Sequence, residues 1–187
     1  MSEGPETLHS PLWVFGYGSL IWNPGFPVAE QSLATLSGFT RSFCMSSIHH
    51  RGTVEDPGLV LALDPHESGH CQGVGFRVPE EDVETTIGEL RERELISSAY
   101  VEMVLPITLY TGAIVDALVY VVDTKHVQYV GGLALERQAE IIAHAVGGRG
   151  PNTEYLWNTV SHLHELGIAD EELDWLDRRV RELTRNT

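Results

Sequence analysis

Glu94 is the acidic residue of this sequence that is best placed for acid–base chemistry. We predict a helix over residues 79–95, whose apolar stripe consists of Val83, Ile87 and Leu90, at spacings of four and three residues. The next member of the stripe is Glu94, which therefore faces the core. A core-facing carboxylate is costly unless it is paired, and the loss of hydration raises its pKa toward neutrality. A general acid or base that works at neutral pH needs this property.

Two structural interpretations of Glu94 stay open beside the chemical one. Glu94 could form a buried ion pair with Arg91, Arg93 or Arg51, because structural ion pairs resemble active-site carboxylates. Alternatively, the helix ends near this point and the carboxylate extends into solvent. Glu92 points to the opposite face of the same helix, so we expect it to be exposed.

The second candidate feature is the Gly-rich segment FGYGSLIW at residues 15–22. A predicted strand runs into a Gly-x-Gly-Ser turn, where backbone N–H groups can converge on a carboxylate or on a polarised carbonyl oxygen. The segment is not a dinucleotide-binding fingerprint, because Ile21 occupies the place of the third glycine, and it is not a P-loop, because no Gly-Lys-Ser/Thr follows. A tight structural turn is the alternative interpretation.

Metal binding and nucleophilic catalysis are both disfavoured by the sequence. The histidines of His49-His50 and His162-x-His164 have no zinc-site spacing, and we expect them to be surface or hydrogen-bonded side chains. Ser19 lacks the nucleophile-elbow motif, and Cys44 lacks a local nucleophile signature.

The composition indicates an acidic globular protein. The chain has 187 residues, with 12 Lys and Arg against 27 Asp and Glu, which gives a formal net charge of −15. This charge repels nucleic acids and anionic membranes. Cys44 and Cys71 cannot form a disulfide framework, the N-terminal segment lacks signal-peptide features, and no apolar run approaches the ~20 residues of a membrane helix. We therefore expect a protein of the reducing cytoplasm with no nucleic-acid or membrane partner.

The predicted strands and helices indicate an α+β fold in a single domain over residues 1–187, with a polar tail at residues 1–10. Short strands are predicted at residues 13–15, 41–48, 59–63, 73–78, 100–110 and 116–122, with glycines between them. Later helices are predicted at about 134–146, 153–166 and 170–185. Asp170 is expected to cap the last helix, and Gly167 to end the helix before it. Several strands followed by several helices favour α+β over a doubly wound sheet.

The segment VFGYGSLIW resembles the opening of the ChaC-type γ-glutamylcyclotransferases. Four further segments resemble that family in the same order: HRG at residues 50–52, GVGFRV at 73–78, Arg93-Glu94 followed by Tyr100, and GPNTEYL at 150–156. The resemblance extends from about Trp13 to Leu166. Two departures are Gly75, where alanine is usual, and the YVGG of residues 129–132, which lacks the proline of the family's YLGP. We expect them to alter a loop or a pocket wall.

The resemblance implies a small mixed β-barrel-like sheet surrounded by helices, and cleavage of glutathione into 5-oxoproline and Cys-Gly without a cofactor or metal. It also implies that Glu94 is the catalytic acid/base. The loop that binds the γ-glutamyl group would be Tyr17, Gly18, Ser19 and Leu20. The residues implied to line the site are Arg51, Tyr100, Tyr129 and Tyr155.

Two other functions stay open at this point. The protein could be a cyclotransferase for other γ-glutamyl amides or amino acids, or a regulatory module that binds a ligand without catalysis. A buried glutamate favours an enzyme, because it would repel the carboxylates of an anionic peptide in a site that only binds. The oligomeric state is left open by the sequence.

Overall fold

The computed structural model describes residues 11–95 and 98–187. These residues form two compact units, which we call the barrel unit (residues 11–37 and 70–120) and the helical unit (residues 38–69 and 121–187). The predicted tail at 1–10 lies outside the described residues. The assignment of one domain to residues 1–187 stays a prediction.

Five strands form a closed barrel in the order β1-β3-β2-β4-β5. Their bounds are β1 Trp13–Gly16, β2 Glu30–Ser47, β3 Gly58–Arg77, β4 Tyr100–Leu109 and β5 Ile114–Val122. The barrel is mixed, because β1 is antiparallel to β3, with Phe15 opposite Gly75, and parallel to β5, with Val14 opposite Leu118. The predicted α+β fold with a mixed barrel-like sheet is confirmed. Two short strands, β6 Val146–Gly147 and β7 Gly150–Pro151, form a separate hairpin.

Strands β2 and β3 are longer than the sequence predicted. The prediction began the second strand at residue 41 and divided the third into 59–63 and 73–78, with Gly69 as an interruption. That division is wrong, since Gly69 lies inside β3. A Cβ on Gly69 would come within 2.8 Å of the Thr40 methyl group. The glycine therefore permits a close approach to β2 and does not mark a turn.

Four α-helices are present among the described residues: α1 Val83–Glu94, α2 Leu135–His144, α3 Asn152–Glu165 and α4 Glu171–Arg185. The first turn predicted for α1 is instead a separate 3₁₀ turn at Glu80–Asp82, preceded by Pro79. The helices predicted near 134–146, 153–166 and 170–185 are confirmed within two residues at each end. Within the described chain, none of the helices has the length and apolar composition needed to cross a bilayer.

The end of α3 and the start of α4 follow the sequence signals. Gly167 has a φ of +71°, the left-handed conformation that commonly ends a helix. The Asp170 carboxylate accepts from the Leu173 N–H at 3.1 Å and also pairs with Arg41 at 3.1 Å. This cap, together with the buried stripe of α4, fixes that helix within the helical unit.

Candidate active site

Glu94 is the last residue of α1, and its side chain points inward. The Glu94 side chain is 18% exposed, whereas Glu92 is an exposed residue. Thr86 and Leu90 are the buried residues of the same helix. The structure therefore shows the inward orientation that the helical spacing predicts for Glu94. The alternative in which Glu94 extends into solvent is wrong.

The electrostatic environment of Glu94 raises the pKa of its carboxyl above that of an ordinary glutamate. Burial raises the pKa of Glu94 above its ordinary value, and the positive charge of Arg93 opposes this shift. The Arg93 Nε lies 3.5 Å from the Glu94 Oε1, so of the ion pairs that the sequence left open the one with Arg93 is present. Because burial is the larger cause, Glu94 is easier to protonate than an exposed glutamate.

The Gly-rich loop follows β1 and turns immediately into a 3₁₀ helix at Ser19–Ile21. The Ile21 N–H donates to the Gly18 carbonyl at 3.0 Å, and the Asn23 N–H donates to the Ser19 carbonyl at 2.9 Å. The first N–H groups of a helical turn have no acceptor within the turn. The first N–H groups of the 3₁₀ turn at Ser19–Ile21 are therefore not used by the turn's own carbonyls.

Arg93 connects this loop to the end of α1. Its guanidinium donates to the Asn23 carbonyl at 2.8 Å, to the Pro24 carbonyl at 3.3 Å and to the Ser19 hydroxyl at 3.2 Å. The residue before Glu94 thus fixes the loop relative to the carboxylate. The sequence had suggested Arg93 only as an ion-pair partner, because nothing in the local pattern shows where the loop carbonyls lie.

Two tyrosines predicted for the site also belong to the barrel unit. Tyr17 is buried, and its hydroxyl donates to the Tyr120 carbonyl on β5 at 3.2 Å. Tyr100 begins β4 and is half-buried. The barrel unit therefore contains Glu94, the complete Tyr17–Leu20 loop and Tyr100.

The remaining predicted residues belong to the helical unit, where Arg51 and Tyr155 contact each other. The Arg51 guanidinium lies 5.7 Å from the centre of the Tyr155 ring and donates to the Pro151 carbonyl at 3.1 Å. The Tyr155 hydroxyl accepts from the Leu61 N–H at 3.2 Å. Arg51 is therefore held by a cation–π contact and a backbone acceptor. The alternative that Arg51 forms an ion pair with Glu94 stays a prediction from the sequence.

Tyr129 is held in place by an acidic neighbour. Its hydroxyl donates to the Asp64 Oδ1 at 2.8 Å, and burial together with Asp64 raises its pKa to about 12. Its ring lies against Gly131, where a Cβ would clash with it. Gly132 has a φ of +80°, which proline cannot adopt, so the loop conformation here depends on the departure from YLGP.

Asn152 is a buried polar residue to which the sequence reasoning gave no role. Its side chain is fully buried, accepts from the Leu59 N–H at 2.8 Å and donates to the Leu59 carbonyl at 2.8 Å. It therefore serves as an extra pairing partner for the start of β3. The asparagine of GPNTEYL was visible in the sequence, but its partner is 93 positions away.

The histidines singled out in the sequence lie outside any metal cluster. His162 Nδ1 is 2.6 Å from the Asn158 carbonyl and His164 Nε2 is 2.7 Å from the Asp174 carboxylate, while His49 and His50 are exposed. Across residues 11–95 and 98–187, no group of three or more His, Cys, Asp or Glu side chains could hold a metal ion.

The fold is that of the γ-glutamyl cyclotransferases. The solved structure of a yeast γ-glutamyl cyclotransferase specific to glutathione matches with a TM-score of 0.83 and 24% identity, covering 94% of this chain and 98% of that chain. The family model described as ChaC-like protein matches residues 12–183. The chain therefore belongs to the ChaC-like family, as its motifs indicated.

Curated relatives are similar over most of their length. The glutathione-specific γ-glutamylcyclotransferase of Escherichia coli K12 is 38% identical over 173 residues, which is 92% of this chain and 74% of that protein. The protein of the same name from Schizosaccharomyces pombe is 34% identical, covering 87% of each chain. γ-Glutamylcyclotransferase 2-3 of Arabidopsis thaliana is 34% identical, covering 92% of this chain and 89% of that one.

Proposed function

We propose that this protein is a γ-glutamylcyclotransferase that cleaves glutathione into 5-oxoproline and Cys-Gly. The observation that carries the proposal is the half-buried Glu94 carboxylate at the end of α1, joined through Arg93 to the Gly-rich loop at residues 17–20. Relatives named for this activity at 31–38% identity support the substrate.

The reaction is internal to the substrate. The α-amine nitrogen of the γ-glutamyl group attacks its own γ-carbonyl carbon, which forms the five-membered lactam and breaks the bond to the cysteinyl nitrogen. A well-oriented intramolecular nucleophile reaches effective molarities of about 10⁵–10⁸ M. The protein therefore has to fold the γ-glutamyl arm, move one proton and stabilise the oxyanion.

Glu94 supplies the proton transfer in this mechanism. The ionised carboxylate takes one proton from the α-ammonium, which makes the amine nucleophilic, and then gives it to the departing cysteinyl nitrogen. The second proton that the attacking nitrogen loses as the lactam forms goes to solvent or to the released amine. The raised pKa of Glu94 suits both steps, because a weakly acidic carboxyl can accept and return a proton at neutral pH.

The loop at residues 17–20 binds the γ-glutamyl group in this mechanism. Its N–H groups bind the α-carboxylate or stabilise the developing oxyanion. Preorganised hydrogen-bond donors lower the free energy of the transition state most when they point at the oxyanion. Arg93 keeps the loop at a fixed distance from Glu94 through its bonds to Ser19 and Asn23.

Replacing Gly18 tests the role of the loop. Gly18→Val places a branched side chain on a buried residue of the loop. We expect KM for glutathione to rise about tenfold or more, equivalent to ~1.4 kcal/mol of lost binding, or turnover to cease. Gly88→Val is the control, since Gly88 lies on exposed α1 surface with open space around it. Normal kinetics in Gly18→Val would make the loop a structural turn only.

Both cysteines are unsuited to act as the nucleophile. Cys44 and Cys71 are not joined in a disulfide and are 1% and 2% exposed. Burial and the nearby Asp64 raise the pKa of Cys44 to about 12, so very little thiolate exists at neutral pH. The internal attack by the substrate amine needs no nucleophile from the protein.

The activity belongs, in our proposal, to a single-domain cytoplasmic protein that uses neither a cofactor nor a nucleic-acid or membrane partner. The net charge of −15 supports the absence of polyanionic partners. Glutathione itself is the small-molecule partner.

Mass spectrometry of the products tests the function directly. Purified protein incubated with reduced glutathione should release 5-oxoproline and Cys-Gly in equal amounts. A panel of γ-glutamyl amino acids and amides, assayed in parallel, separates the glutathione-specific activity from a broader cyclotransferase. A folded protein that binds glutathione without forming products would instead be a binding module.

A further inference from the structure

Arg91, Glu102 and Tyr120 form a polar cluster in the barrel unit that the mechanism above does not use. Arg91 of α1 donates to both carboxylate oxygens of Glu102 on β4, through Nη2 at 2.8 Å and Nε at 3.0 Å. The Tyr120 hydroxyl on β5 donates to the same carboxylate at 3.0 Å. An arginine that donates two hydrogen bonds to the two oxygens of one carboxylate has a defined geometry. The cluster therefore links α1 to strands β4 and β5.

Arg91 of this cluster lies on the same helix as Glu94, whereas Glu102 and Tyr120 lie on strands β4 and β5. Arg91 precedes Glu94 by three residues, and side chains at this spacing are neighbours on a helix surface. Burial, the Glu102 carboxylate and, more weakly, the charge of Glu94 all raise the pKa of the Tyr120 hydroxyl. Tyr120 is therefore within electrostatic reach of both carboxylates. Its backbone carbonyl also accepts from the Tyr17 hydroxyl of the loop.

The two arginines near the end of α1 have different partners. Arg93 binds the loop through Ser19 and Asn23, and Arg91 binds β4 through Glu102. The last turn of α1, which ends at Glu94, is thus attached on one side to the loop and on the other to the barrel wall.

Arg93 is the charged side chain that shifts the pKa of Glu94, and the nearby Arg91–Glu102 pair has no net charge. Arg93 is adjacent to Glu94 in sequence and Arg91 is one helical turn before it, while Glu102 lies on β4 and the Tyr120 hydroxyl comes from β5. The positive charge of Arg91 is matched by the negative charge of Glu102, so this pair contributes little net charge at Glu94. Removing either partner alone leaves one uncompensated charge, either Arg91 one helical turn before Glu94 or Glu102 on β4.

We propose that Arg91, Glu102 and Tyr120 are positioning residues for Glu94: they fix the last turn of α1 against β4 and β5, and Glu102 balances the charge of Arg91, which lies one helical turn before Glu94. The proposal rests on the proposed function, because it assigns these residues a part in the proton transfer by Glu94. None of the three needs to touch the substrate.

Single replacements of the two charged partners should act in opposite directions. In Glu102→Gln the unpaired Arg91 stabilises ionised Glu94, and the acid limb of kcat/KM moves to lower pH. In Arg91→Gln the unpaired Glu102 destabilises ionised Glu94, and the same limb moves to higher pH. We expect shifts of up to about 0.5 pH unit, smaller than the about 1–3 units that a charge within 4–6 Å produces, because Arg91 is a helical turn away from Glu94 and solvent screens its charge. The Arg91→Gln/Glu102→Gln double variant, with neither charge, should return close to the wild-type profile.

A matched control comes from the helical unit. Arg179 and Glu136 form a pair with the same two-pronged geometry, through Nη2 at 2.7 Å and Nε at 3.0 Å to the two carboxylate oxygens. Glu136→Gln removes a surface carboxylate–arginine pair that has no part in the proposed mechanism, and should leave the pH profile of kcat/KM unchanged.

Titration of the Glu94 carboxyl by ¹³C NMR gives a readout that does not depend on activity, with the signal assigned by its loss in Glu94→Gln. Opposite shifts of this titration in the two single variants support the proposal. Shifts in the same direction, or loss of activity at all pH values with no shift, would overturn it and leave the cluster a structural support. A wild-type protein that forms no 5-oxoproline overturns the proposed function instead, while the NMR titration still tests the coupling.

Discussion

Glu94→Gln is expected to lower the rate of 5-oxoproline formation from glutathione by about 10²–10⁴-fold, the usual contribution of a general acid/base. The amide is nearly the same size as the carboxyl, so the packing at the end of α1 should survive. Glutamine cannot accept the proton of the α-ammonium. Glutathione binding, measured by calorimetry, should stay within a few-fold of the wild-type value, because the loop and not Glu94 holds the γ-glutamyl group.

Glu92→Gln is the matched control for this experiment. Glu92 lies two residues before Glu94 on the same helix and is exposed, so its replacement makes the same chemical change without reaching the site. Its kinetics should equal those of the wild type. If Glu94→Gln retained most of the activity, Glu94 would be excluded as the acid/base.

The raised pKa of Glu94 sets the direction of the pH dependence. The base must be ionised in the free enzyme, so kcat/KM falls as the pH drops through the pKa of Glu94. Because burial raises this pKa, the decrease begins above the ordinary glutamate range near pH 4.3. The Glu94→Gln variant should lose this limb from its residual activity.

Asn152→Ala is expected to cause the largest loss of stability among single replacements in the family motifs. It removes both hydrogen bonds to the Leu59 backbone and leaves a buried N–H and a buried C=O without a partner. Each unsatisfied buried group costs about 1–3 kcal/mol. We therefore expect the free energy of unfolding to fall by about 2–5 kcal/mol, measured by urea denaturation.

Asn158→Ala provides the comparison within the same helix. Asn158 lies on α3 and is half-buried, so the same change of residue type there tests helix propensity alone. Its effect should stay within about 0.5 kcal/mol, as for most replacements away from buried networks. Equal losses in the two variants would show that the Leu59 pairing contributes nothing to stability.

The sequence predicted those parts of the molecule that depend on local pattern. The inward orientation of Glu94 follows from helical spacing, and the cap at Asp170 follows from residue type. The contacts of Arg93 and Asn152 could not be predicted, because they join segments 70 and 93 positions apart. Gly69 was misread as an interruption because its close neighbour, Thr40, belongs to another strand.

The burial of Cys44 and Cys71 has a consequence for redox chemistry. A protein that degrades glutathione is constantly exposed to that thiol and to its disulfide, and mixed disulfides form when a protein thiolate attacks the disulfide. Both sulfur atoms are shielded from solvent, and the pKa of Cys44 is about 12. S-glutathionylation therefore has no ready target among these thiols, so the substrate pool can become oxidised without the enzyme itself being modified.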